Sequence, residues 1–147
     1  VSIAGAYMGT IRSLNEDEFD DTYRITRKAK EGDAEYVDTS VMDPDTLQYP
    51  TQGRITVYEG PGRLQLRSTA VGIGFSDQDA GDRRVVVQEP ELQLPVDDTA
   101  DVTVNDVAEC LTAPNDDSLV GRKFTVMARH EKTHAGKRRL RVSEVIA

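Results

Sequence analysis

Arg54 to Ser68, RITVYEGPGRLQLRS, constrains the fold of this chain more than any other stretch. Ile55 and Val57 fall on one side with Thr56 opposite; Leu64 and Leu66 then fall on one side with Arg63, Gln65 and Arg67 opposite. Alternation with a period of two marks strands with one wet face. Between the halves stands Gly60-Pro61-Gly62. The glycines can take positive φ, and the proline fixes φ and lacks an N–H, so the spacing predicts a sharp bend or tight turn here, not a continuing ladder. Most of the chain beyond Ser68 repeats the same kind of signal. The expected fold is mainly β, a small barrel or sandwich with a short N-terminal helix and long loops.

Read from its start, the chain first offers a helix. Ser2 can cap it, and Ile3, Tyr7, Ile11 and Leu14 share one helical face. Gly9 weakens it by about 1 kcal/mol relative to Ala, so its order depends on packing against the body or a neighbouring subunit. Glu16 to Asp21, EDEFDD, places five acids around Phe19 and reads as a solvated acidic connector. TYRITRK, residues 22–28, is the first strand. Turn chemistry at 31–33 and in DPDTLQYPT, 43–51, leaves Glu35 to Met42 as at best a short strand before an irregular excursion. Thr69 to Asp82 reads as a long loop. RRVVVQ and ELQLP come next as two strand pieces separated by Pro90, which points to an edge or a bulge. An acid-rich turn, Asp97 to Asp106, leads to a short strand, Val107 to Thr112, and APNDDS turns into a closing hairpin around EKTHAGK. One domain is expected over 1–147: helix and connector at 1–18, a barrel body over 22–147, and a long loop at 69–84.

Composition narrows the chemistry. Trp is absent and Phe and Tyr total eight, so Val, Ile and Leu are expected to carry the core. A net charge of -8 argues against a clamp on duplex DNA, where Lys and Arg must neutralise phosphates. The single Cys110 excludes an internal disulfide and reads as a small buried hydrophobe. No run reaches bilayer-spanning length and VSIAGAYMGT lacks the pattern of a signal peptide, so a soluble intracellular product is expected.

Candidate sites are few. Asp77, Asp79 and Asp82 resemble a calcium loop, but Gly81 comes one place early and Gln88 stands where a bidentate Glu is needed. Gly72-Ile73-Gly74 is a lone Gly-x-Gly. His130 and His134 flank the last loop without a third ligand at a sensible spacing. No catalytic set, cofactor site or metal site is expected. Gly136 to Arg141 holds a dense basic cluster, Lys137, Arg138, Arg139 and Arg141, which on an acidic chain suits an acidic partner surface.

Several pieces then occur in order: EFDDTYRITRK, DPDTLQYPTQGRITVYEGPGRLQ, ELQLPVD, DVTVNDVAECL and DDSLVGRKFTVMARHEKTHAGKRRLRVSEV. From Glu18 to Val145 this order resembles the head-tail connector proteins, also called head-completion or stopper proteins, of tailed phages with long tails. The resemblance implies a non-enzymatic β-barrel subunit of the phage neck. It would be made in the bacterial host's cytoplasm and built into the virion at the capsid-tail junction as a homo-oligomeric ring, with six copies the expected number. Its partners would be the portal or adaptor ring, the tail-terminator or tail-tube proteins, and double-stranded DNA passing without sequence-specific binding. A long loop of that family can help retain packaged DNA; the corresponding candidates are Gly72, Gly74, Phe75, Asp77, Asp79, Asp82 and Arg84. Candidate contacts with neighbours are Arg138, Arg139 and Arg141 against Glu16, Asp17, Asp20 and Asp21, or against Asp97 to Asp106. The alternatives are a tail-terminator or adaptor ring, or a single-strand DNA-binding module of OB type. The scattered aromatics weaken the last, since such modules need stacking platforms beside a positive groove.

Overall fold

The computed structural model describes residues 3–71, 85–131 and 135–145. Helix α1 (Ile3–Glu16) precedes six strands: β1 (Asp21–Lys28), β2 (Arg54–Val71), β3 (Val85–Leu94), β4 (Val107–Thr112), β5 (Lys123–His130) and β6 (Arg138–Glu144). They close in the order β1-β2-β3-β6-β5-β4, every neighbour antiparallel. Closure removes the long open edges that a flat sheet of these strands would expose. No helix among the described residues is long and apolar enough to cross a membrane.

The expected turn at Gly60-Pro61-Gly62 does not form; β2 runs through it. Asp21, Thr22 and Tyr23 on β1 pair with Gly62, Pro61 and Gly60, and at the next residue β2 changes partner, Arg63 facing Gln93 of β3. Pro61 is tolerated because it stands where one ladder ends. The glycines serve close approach instead of a turn: a Cβ on Gly62 would lie 2.8 Å from Tyr23 Cδ2 and 2.9 Å from Leu94 Cδ2, and one on Gly60 would lie 2.8 Å from Tyr58 Oη. The Tyr58 hydroxyl donates to the Pro61 carbonyl at 2.6 Å, tying the corner.

Pro90 likewise does not split its strand. β3 is continuous, with Pro90 opposite Leu66, yet the edge reading holds because pairing with β6 covers only Glu91 to Leu94. From Leu66/Pro90 to Val71/Val85 the two strands form a two-stranded ribbon that leaves the barrel, roughly 20 Å long at the usual rise. The loop expected from Thr69 does not start there, since Thr69, Ala70 and Val71 pair with Val87, Val86 and Val85; the rest of that expected loop, residues 72–84, lies outside the described residues. Glu35–Met42 forms no strand; residues 29–53 are irregular throughout.

Of three register shifts among the described residues, the one between Thr22 and Tyr23 skips Leu111 of β4, and two others reset the alternation around Val57 and Met127. One, between Ile25 and Thr26 of β1, leaves Val57 without an opposite residue and lets Tyr58 turn inward; the other, between Val126 and Ala128 of β5, puts Met127 out in solvent. Ile25, Leu92, Leu94, Val102, Val126, Leu140 and Val142 build an aliphatic core, as the composition demands. Its two largest fully buried side chains are nevertheless aromatic, Tyr23 and Phe124. Helix α1 forms where expected but hardly docks: Tyr7, Ile11 and Leu14 remain exposed, and its close approach is Ile11 and Asn15 against Gly136.

Candidate functional site

Period two on β6 buries Leu140 and Val142 and turns Arg139 and Arg141 outward. The cluster then divides by partner. Arg138 reaches over the barrel rim, its Nε donating to Thr99 Oγ1 at 2.8 Å and its Nη2 to the Val96 carbonyl at 3.1 Å. Arg141 pairs with Glu89 of β3. Among the described residues Arg139 makes only a loose ion contact, 3.9 Å, with the buried Glu91. Lys137 has no ion pair among the described residues, and burial together with the adjacent Arg139 lowers its pKa. Of the basic cluster, Lys137 and Arg139 thus retain charge that the described part of the subunit does not closely pair.

The acidic connector is mostly tied to its own subunit. Glu18 accepts from Arg63 at 3.0 Å, and Asp20 accepts from Asn115 Nδ2 at 3.2 Å. Asp21 opens β1, where burial and the neighbouring Asp20 raise its pKa. Glu16 ends α1, and with Asp98 it adds to the burial that pushes the Tyr58 hydroxyl up to about 12. Asp17 is exposed.

Arginines also brace the second acidic segment, an arrangement without a sequence signal because the partners lie far apart along the chain. Arg27 grips Asp106, which is only 1% exposed, through two bonds of 2.9 Å, and also donates to the Asp101 carbonyl. Asp106 in turn accepts from the Thr103 backbone N–H at 2.9 Å. Arg129 donates to the Ala100 and Val102 carbonyls at 2.8 Å each, and Arg12 meets Asp97 at 3.4 Å. Carbonyls that the irregular segment would leave unpaired are thereby satisfied.

Of three concavities among the described residues, two adjoin the closing hairpin. A cleft of about 1090 Å³ opens where β3 and β6 part, floored by Leu64, Leu119, Phe124 and Val142 and rimmed by the Arg122–Glu144 pair at 2.6 Å. A smaller recess of about 310 Å³ lies between α1 and the start of β6, lined by Ile11, Asn15, His130, Gly136, Lys137 and Arg139. Neither gathers a nucleophile with a base. The Cys110 thiol is buried, its pKa raised by that burial and by Asp21, so it remains protonated. Among the described residues no group of three or more His, Cys, Asp or Glu is arranged to hold a metal ion.

The candidate channel residues Gly72, Gly74, Phe75, Asp77, Asp79, Asp82 and Arg84, and also His134, lie outside the described residues. Sequence reasoning missed the character of residues 29–53. Among the described residues their hydrogen bonds stay within the segment, as from Ala29 N to the Gly53 carbonyl at 2.9 Å. Tyr36, Val37, Val41, Met42, Leu47 and Tyr49 are exposed on it, six of the thirteen large apolar side chains so placed among the described residues. Six acids against one lysine in this stretch could have marked it.

No curated protein matches the chain, and no solved structure matches it either. Residues 11–143 match a family described as a family of unknown function (DUF6093), a span that takes in the end of α1 and all of the six strands except Glu144, and the chain belongs to that family.

Proposed function

We propose that this chain is a structural subunit of the neck of a tailed phage, a head-tail connector or stopper that joins the portal or adaptor ring to the tail and helps retain packaged DNA. The observation that carries the reading is the ribbon formed by the ends of β2 and β3. It leaves a closed barrel, and among the described residues neither of its edges pairs with a further strand. An isolated two-stranded ribbon is marginal in water, so this one suits a protein whose neighbours cover it. Closed rotational symmetry supplies such neighbours, and a ring also provides a channel through which DNA passes. The acidic balance fits that role, because like charge lets DNA phosphates pass without adhering.

Imaging of intact particles tests the proposal. A ring of this protein at the capsid-tail junction is expected, and particles lacking the protein should show tailless heads that have lost their packaged DNA. Finding the protein elsewhere in the particle, or finding tailed infectious particles without it, overturns the reading.

A further inference from the structure

Among the described residues, one acidic, apolar projection makes no ion pair with the rest of the chain, and one cationic recess is lined by no acid. The arginine-facing acids Glu18, Asp97 and Asp106 already have cations in their own subunit, so they are poorly suited to meet a neighbour's basic cluster. The excursion over residues 29–53 differs: no ion pair links it to the rest of the chain among the described residues. At its tip Asp43 accepts from the Asp45 N–H at 2.9 Å, and the Asp43 N–H bonds the Gln48 carbonyl at 2.9 Å, closing a turn. That turn holds Leu47 at φ 55, left-handed backbone that a bulky residue adopts only at a cost, with 71% of its surface in water. A glycine or asparagine would suit the backbone better. An apolar side chain held out at that cost points to a receiver.

The recess between α1 and β6 has the matching character. Ile11 and Gly136 supply an apolar surface, and Lys137 and Arg139 stand beside it. It runs into the exposed α1 stripe of Tyr7, Ile11 and Leu14. We propose that the excursion of one copy docks in this recess of a second copy, Leu47 against Ile11 and Gly136, and Asp43 and Asp45 facing Lys137 and Arg139. The two patches are different surfaces of the same subunit, so the contact is head-to-tail and propagates until a ring closes. It also covers the stripe of a helix that otherwise stands in water. The inference rests on the ring reading for the need of a neighbour, and it assigns that neighbour's contact.

Sedimentation of the full chain tests it. Asp43→Lys with Asp45→Lys, or Lys137→Glu with Arg139→Glu, should each weaken self-association about 100-fold, the effect of placing like charges together. All four substitutions in one chain should bring association back to within about tenfold of the original. Leu47→Gly should weaken association about tenfold while leaving the fold intact. Unchanged association in either charge-reversed chain, no recovery in the four-fold variant when its circular dichroism and melting match the original, or an original chain that stays monomeric at about 1 mM overturns the inference. A ring seen at the capsid-tail junction for both the original and the Lys137→Glu, Arg139→Glu chain would sink this contact and leave the neck reading standing.

Discussion

Residues 96–106 and residues 29–53 are both acid-rich connectors between strands, yet one is part of the body and the other projects from it. The difference is which arginines reach them. Arg12, Arg27, Arg129 and Arg138 converge on the first, satisfy its carbonyls and neutralise Asp97 and Asp106, and with the backbone so fixed Val102 and Thr99 are fully buried. No such reach exists for the second among the described residues. Its carboxylates hold local turns, Asp38 through Ser40 and Asp43 through Asp45, and its apolar side chains face water. Acidity alone therefore does not decide whether a connector is structural or free; the geometry of cations on the flanking strands does.

The largest test breaks the braced segment. Asp106→Ala leaves the Arg27 guanidinium without its carboxylate beside a core residue, and should cost about 3–5 kcal/mol in urea unfolding, as removal of one partner of a buried pair does. A loss below about 1 kcal/mol would mean that the bracing is incidental. Arg138→Ala comes next, at about 1.5–3 kcal/mol for charge-assisted bonds to Thr99 and Val96. Arg138→Lys should not rescue it, because an ammonium cannot reproduce the fork. On the free segment, Leu47→Gly should raise stability by about 1 kcal/mol or less by removing the left-handed cost. A destabilised variant would show that Leu47 packs within its own subunit.

Acid titration gives the smallest effect and the sharpest contrast. The Ser40 hydroxyl and backbone N–H hold the Asp38 carboxyl below its ordinary range, and the Asp45 backbone N–H does the same for Asp43. A depressed carboxylate contributes stability that is fully present above its unfolded value, about pH 4, and is lost as pH falls through the lower folded value. Because these turns bond within their own segment, the Ser40 and Asp45 amides should lose protection relative to their intrinsic exchange rates below that pH while amides of β1 and β6 stay protected. Concerted loss of both would show that the excursion is coupled to the body after all.

The unmet expectations share a cause. The strands of the closing hairpin, the short strand around Cys110 and the helical stripe from Tyr7 to Leu14 were legible because each depends on a period within a few residues. Gly60-Pro61-Gly62 and Pro90 misled because local turn chemistry cannot reveal when a ladder changes partner, and at both places the backbone meets an open edge where proline is tolerated. The bulges at Val57 and Met127 were hidden for the same reason, since an unpaired residue exists only relative to the opposite strand. Of the basic cluster, the residues were readable but their partners were not. Arg138 and Arg141 have close counterparts on other elements, whereas among the described residues Arg139 makes only its loose ion contact with Glu91 and Lys137 has no ion pair.

By itself, then, the order of residues determined that this chain is a β protein with an aliphatic core, a leading amphipathic helix and a surplus of negative charge, because alternation and composition act locally and additively. Which charges cancel and which remain for a neighbour was decided only when the barrel closed and carried arginines from residues 12, 27, 129 and 138 to one acidic segment while leaving the other out of their reach.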